Sequence, residues 1–227
     1  MNLLISALAP VFVIIIYIYI KDKYEKESKR ILAYTFALGA VISIAITTLL
    51  YKIFDLFLPI PNDFSVWQQF VKAFFIVALI EEFSKYIIVR YYNQPRKGFN
   101  EPFDGIIYAV MVSMGFAAVE NIMYVSQGGL EVALIRAFTA IPAHATFGVL
   151  MGYFMGKAKF SNNKMKWNLI GLSSAILFHG TYDFFLFINF IPGISIGAFI
   201  SLIIAIVLSK KAIKAHQEGS FFKDKNV

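Results

Sequence analysis

Seven stretches of this chain run for about twenty residues with very few charges, and that sharply limits the folds available to it. Hydrocarbon offers a backbone no outside hydrogen-bond partner, so a segment crossing a membrane must satisfy its own amides. The stretches lie at 2–20, 31–51, 66–89, 103–125, 132–156, 167–187 and 191–209. Each is long enough to span about 30 Å as a helix. The expected fold class is all-α, a polytopic membrane protein built as a bundle of about seven transmembrane helices. The 227 residues are 59% hydrophobic with a mean hydropathy of +0.68, too apolar for a soluble domain. No polar stretch is long enough for a separate soluble unit. A single integral-membrane domain over 1–227 is expected, with its motif-bearing core at about 66–190.

The charges are distributed unevenly between the loops. The segment 21–30 holds five Lys/Arg, 90–102 holds three (Arg90, Arg96, Lys97), 157–166 holds four, and the tail after 209 holds five, including Lys225. The alternate loops, near 52–65, 126–131 and 188–190, contain only Lys52. Basic residues accumulate on the cytoplasmic side, so this pattern places the N-terminus outside and the C-terminus in the cytoplasm. The net charge of +7 is thereby explained without nucleic acid. Residues 1–10 carry no charged side chain, so the first stretch reads as a retained helix and not as a cleaved signal peptide. With no cysteine, disulfides and thiolate metal sites are excluded.

Within the third stretch stand Glu81, Glu82 and Lys85. A charge at the bilayer centre costs about 2.5–3.5 kcal/mol on insertion scales, so these three must face protein or trapped water. Lys85 is one turn from both glutamates, which project about 100° apart; one can pair with it while the other faces a cavity. Three later helices each carry a row of small residues at four-residue steps that ends on or includes a polar group. Gly105, Ala109, Ser113 and Ala117 lead to Asn121, with Glu120 alongside. Arg136, Ala140, His144, Gly148, Gly152 and Gly156 form the second row, and Pro142 is expected to kink its helix before the histidine. Gly171, Ala175, His179 and Asp183 form the third, with the carboxylate one turn from the imidazole. His216, in the basic tail, reads as solvated surface.

There is no G-x-S-x-G, no cysteine and no H-E-x-x-H, so nucleophilic catalysis and a single-helix zinc motif lack support. Glu81, Glu82, His144 and His179 could still meet around a metal across helices. The most economical chemistry is a glutamate that deprotonates water for attack on a peptide carbonyl, with a His or Asn/Asp donor stabilising the oxyanion. Centring each helix puts Glu82 about 6 Å towards the cytoplasm, Glu120 about 9 Å towards the outside and His144 near the middle, at about 1.5 Å per residue. If that gap is real, Glu120 is a gate or structural residue.

The order Glu81-Glu82-x-x-Lys85, Phe103-Asp104-Gly105 to Gly115-Phe116-Ala117-x-x-Glu120-Asn121, Pro142-x-His144, His179-x-x-x-Asp183 resembles the motif series of PrsW-type intramembrane proteases. These are relatives of type II CAAX-prenyl endopeptidases and of APH-1. The resemblance covers roughly 71–190, and Phe116-x-x-x-Glu120 stands where the CAAX enzymes have Phe-x-x-x-His. It implies a glutamic-type intramembrane endopeptidase of a bacterial cell membrane. The implied partner is a single-pass anti-sigma factor, whose site-1 cleavage releases a sigma factor in a stress response. It also makes Glu81 the likelier base; local spacing alone does not choose between Glu81 and Glu82. Catalytic roles are thus expected for Glu81, Glu82, His144 and His179, and supporting or substrate-binding roles for Lys85, Glu120, Asn121, Arg136 and Asp183. No cofactor is expected, a metal being left open. The alternatives are an ion-coupled transporter, disfavoured because no inverted repeat is visible, a catalytically silent scaffold, and a metal-dependent intramembrane or CAAX-type protease.

Overall fold

The computed structural model describes residues 2–57 and 64–223; Lys225 and positions 58–63 of the loop near 52–65 lie outside them. Among the described residues the chain forms seven helical stretches and no strand. They are α1 (Leu3–Lys21), α2 (Lys29–Phe57), α3 (66–93), α4 (Phe103–Phe138), α5 (Ala140–Phe160), α6 (Lys164–Phe187) and α7 (Ile196–Glu218). Leu3–Lys21, Lys29–Phe57, Phe103–Phe160, Lys164–Phe187 and Ile196–Glu218 are long and apolar enough to cross a membrane. The stretch 66–93 is long enough but carries Lys72, Glu81, Glu82, Lys85 and Arg90. The molecule is an all-α polytopic membrane protein.

Phe103–Phe160 is too long for one crossing, and it folds back on itself. Gly129 takes φ 70° and ψ −156°, outside helical geometry and favourable only to glycine. Thr139 breaks the helix again at φ −123° and ψ −82°. The boundary expected at 132 therefore shifts: 130–138 is a separate helical piece, and Arg136 stands on it and not in the row of α5. The expected kink at Pro142 is also absent. Pro142 is the third residue of α5, where a missing N–H forfeits no intrahelical bond.

The small-residue rows bring α4 and α5 together antiparallel. A Cβ on Gly105 would stand 2.3 Å from the Gly152 carbonyl oxygen, and one on Gly156 would stand 2.1 Å from that of Pro102. Gly148 meets Ala109 and Ser113, and the Ser113 hydroxyl donates to the His144 carbonyl at 2.7 Å. On the other side of α4, Gly115 and Gly39 let α2 approach equally closely. The backbones touch because the side chains are missing, which is how helices associate where no hydrophobic driving force separates them from lipid.

Two π-helical turns bracket the charged part of α3, at Lys72–Ala78 and Val89–Asn93. Such turns re-aim the side chains that follow and recur at functional sites. At the far end of α7, His216 is buried and stacks on Tyr153 with ring centroids 4.3 Å apart. The expectation of solvated surface fails because α7 continues to Glu218, and Gly156 of α5 leaves room for the imidazole beside it.

Candidate active site

Lys85 is the hub of the buried polar cluster. Its ammonium lies 2.7 Å from Glu82 Oε1, 3.6 Å from Glu81 Oε2 and 3.4 Å from His144 Nδ1, and 4.3 Å over the Phe116 ring. The α3 backbone sets the pairing: Glu82 and Lys85 are i,i+3, Glu81 and Lys85 i,i+4. Glu82 is fully enclosed, with Lys85 on one side and His179 Nδ1 at 2.8 Å on the other. Glu81 instead lines a cavity of about 770 Å³. One glutamate locks the lysine and the other faces open space, as the 100° offset along the helix predicts.

The two imidazoles are held from behind by carboxylates. His144 Nε2 is 3.0 Å from Glu120 Oε2, and His179 Nε2 is 3.2 Å from Asp183 Oδ2. Their rings stand edge to face with centroids 5.4 Å apart, and Phe147 stacks on His179 at 4.9 Å. Arg136 closes the far side, donating to Glu120 at 2.6 Å and to Asn121 Oδ1 at 2.7 Å. The Asn121 amide in turn donates to the Ala7 carbonyl at 2.8 Å, which ties α1 to the cluster. Glu81, Glu82, Lys85, Glu120, Asn121, Arg136, His144, His179 and Asp183 thus form one connected network.

Glu120 is not displaced from the histidine. The depth mismatch expected from centring the helices disappears because they do not share a centre. The start of α5 at Ala140 puts His144 one turn from the helix end and not at its middle. Glu120 stands two to three turns before the break at Gly129, and His179 a similar distance before the end of α6. The cavity extends from Glu81 towards that end, past Tyr124 and Gln127 to Thr139 and Phe187, opposite the basic loops.

Tyr51 is a member that sequence reasoning missed. Its hydroxyl donates to Glu81 Oε1 at 2.7 Å and fixes that carboxylate. Ser84 also emerges, bonded to Ser43 at 2.6 Å and to Thr47 at 3.0 Å, which pins α3 against α2. Glu81 Oε2 is left buried without a hydrogen-bond partner, 3.6 Å from the Lys85 ammonium and 4.0 Å from His179 Nε2.

Four carboxylates here (Glu81, Glu82, Glu120, Asp183) face two permanent cations (Lys85, Arg136). Unbalanced charge is costly away from water, so protons on the imidazoles or on a carboxylate, or a bound cation, must supply the difference. Glu81, His144 and His179 each offer a donor atom within 4.8 Å of the others. Two His and one Glu are a familiar set for a catalytic divalent metal. Glu120 and Glu82 stand where carboxylates back ligating imidazoles. The donor set fits a cation, although the Lys85 ammonium already places positive charge beside it.

Fold and site together define a polytopic membrane protein with a buried acid–base cluster opening on a cavity. A family model described as PrsW family intramembrane metalloprotease matches residues 27–210. The chain is 36% identical to Protease PrsW of Oceanobacillus iheyensis over 82% of its own length and 83% of the relative's. It is 35% identical to Protease PrsW of Bacillus subtilis over 80% and 81%, and 34% identical to that of Clostridioides difficile over 84% and 81%. No solved structure matches it. The chain belongs to the PrsW family, and its relatives make it a peptidase.

Proposed function

We propose that the chain is an intramembrane endopeptidase in which Glu81 activates water. The observation that carries this is the asymmetry of the glutamate pair. Glu82 is committed to Lys85 and His179 by hydrogen bonds, whereas Glu81 lines the cavity, keeps one oxygen on Tyr51 and leaves the other without a hydrogen bond, 3.6 Å from the Lys85 ammonium. Glu81 Oε2 and His179 Nε2 are 4.0 Å apart, too far for a direct hydrogen bond and close enough for one oxygen to touch both. Water held there gives a proton to Glu81 and attacks the scissile carbonyl. His144 or His179 donates to the oxyanion, and Glu81 returns the proton to the leaving amine. Lys85, Glu120, Arg136 and Asp183 position the imidazoles and stabilise the charge that develops.

The substrate in this reading is a single-pass protein of a bacterial cell membrane, an anti-sigma factor whose cleavage frees its sigma factor. The N-terminus is outside and the C-terminus cytoplasmic, in line with the basic loops. The cavity then faces the outer half of the bilayer, and the cut falls there. Purified protein and a membrane-anchored anti-sigma factor in proteoliposomes test this. Mass spectrometry should locate a cut in the outer half of the substrate segment, abolished by Glu81→Gln. Cleavage in the cytoplasmic segment, or full activity of the variant, would sink the proposal.

A second reading is favoured by the spacing of Glu81, His144 and His179 and by the wording of the matching family model. These three residues would hold a divalent cation, which would polarise the carbonyl and acidify bound water. Loss of activity on chelation with rescue by zinc selects this reading, and unchanged activity in metal-stripped protein selects the first.

A further inference from the structure

A second group of buried carboxylates lies about 24 Å along α4 from Glu120, at about 1.5 Å per residue, beside the basic loops. Asp22, Glu25 and Glu27 come from the loop between α1 and α2, and Glu101 and Asp104 from the start of α4. All but Glu25 are buried. Among the described residues none of the five is ion-paired to lysine or arginine. The nearby cations are directed elsewhere: Lys26, whose charge still reaches Asp22, donates to the Tyr19 carbonyl and covers its ring, Lys29 lies over the same ring, Lys21 lies over Tyr17, and Lys159 donates to the Gln94 and Arg96 carbonyls.

Local bonds reach only some of these oxygens. Asp104 Oδ2 accepts from the Asn100 and Glu101 amides at 2.6 and 2.8 Å, and Asp22 Oδ2 accepts from the Glu27 amide at 3.1 Å. Asp22 Oδ1, Glu25 Oε2, Glu27 Oε1 and Asp104 Oδ1 are buried with no partner. An independent group points the same way. Tyr108, one turn beyond Asp104, is fully buried, and its hydroxyl is directed at Glu27 without closing a hydrogen bond. Burying a phenol without a hydrogen bond costs free energy, which a ligand at this point would recover.

We propose that Glu25, Glu27 and Asp104 form a site for a hard divalent cation, magnesium or calcium, completed by Asp22 and Tyr108 directly or through water. Their donor oxygens lie within 4.8 Å of one another. Oxygens on opposite sides of calcium are about 4.6–5.2 Å apart, and on opposite sides of magnesium about 4.0–4.2 Å, so the cluster admits either with little movement. An all-oxygen set excludes a preference for soft metals. The ion joins the α1–α2 loop to the start of α4. Glu101, bonded to Ser220, extends that clamp to the segment after α7.

The test is titration of the metal-stripped full-length protein in detergent with magnesium or calcium, followed by calorimetry and thermal unfolding, and with terbium, followed by tyrosine-sensitised luminescence. One saturable site that raises the unfolding temperature is expected, and it should persist in the His144→Ala, His179→Ala double variant. Glu27→Gln and Asp104→Asn should weaken it about 10–100-fold. Tyr108→Phe, which keeps the packing, should lower the sensitised emission. Magnesium and calcium arms identify the ion. The proposal is overturned by no saturable binding to folded wild type up to about 10⁻³ M, by binding that survives Glu27→Gln and Asp104→Asn, or by binding lost with the two histidines.

Discussion

Neutralising Glu81 and neutralising Glu82 should damage the protein in different ways. Glu81→Gln keeps the shape and the Tyr51 contact but removes the base, so cleavage should fall about 10²–10⁴-fold in a protein that still folds. Glu82→Gln takes the closest partner from a buried lysine and loosens His179, and truncating one side of a buried pair costs about 3–5 kcal/mol. It should appear first as a lower unfolding temperature. Thermal unfolding and initial cleavage rates of both variants decide this, and identical behaviour would end the division of labour. Tyr51→Phe should slow cleavage and lower stability by about 1–3 kcal/mol, because it leaves Glu81 Oε1 buried without its donor. Glutamates and histidines are conspicuous in an apolar sequence because their burial demands partners. Tyr51 is not, because a tyrosine near the end of an apolar stretch looks like an interfacial anchor. His216 misled for the opposite reason: a charged tail on the sequence is a helix packed on α5 in the structure.

Helix contacts rest on atoms that are absent. At Gly152 a Cβ would meet the Gly105 carbonyl oxygen at 2.3 Å, and backbone cannot move aside cheaply. Gly152→Val should therefore push α4 from α5, separating Glu120 from His144 and costing about 1–3 kcal/mol or more. Unfolding in detergent checks it, and a neutral result would contradict the packing. Pro142→Ala should leave α5 straight and stability nearly unchanged, since Pro142 lies in the first turn. The rows of small residues were legible because four-residue spacing states which face is bare. The turn at Gly129 falls in the expected loop at 126–131, but the second break at Thr139 was not legible, because the apolar stretch from 132 runs through it without interruption. The carboxylates of the α1–α2 loop and the start of α4 add a pH dependence. Asp22, Glu27 and Glu101 have folded-state values raised to about 6, 7 and 7, chiefly by burial. The folded state thus holds their protons more tightly than the unfolded one. In divalent-free buffer the stability they contribute should be full near pH 4 and decline as pH rises towards 7. Glu27→Gln and Glu101→Gln should flatten that slope in unfolding scans.

At the scale of the whole molecule, the direction in which the cavity opens follows from how the bundle sits in the membrane. Basic residues gather at one end, in the loops 21–30, 90–102 and 157–166 and in the segment after α7, while the cavity extends from Glu81 to the other end, near Thr139 and Phe187. Lys/Arg-rich short loops stay in the cytoplasm, so the cavity should open outward and an odd number of crossings should separate the termini. The chain has no cysteine, so single reporters can be added without removing anything. Glu131 and Asn162 are exposed at opposite ends of the bundle. In intact cells Glu131→Cys should react with a membrane-impermeant maleimide, and Asn162→Cys only after permeabilisation. The reverse pattern would turn the cavity towards the cytoplasm. An anti-sigma factor would then be cut on the side where its sigma factor is bound, and the proposed substrate could not stand even if Glu81 proved to be the base.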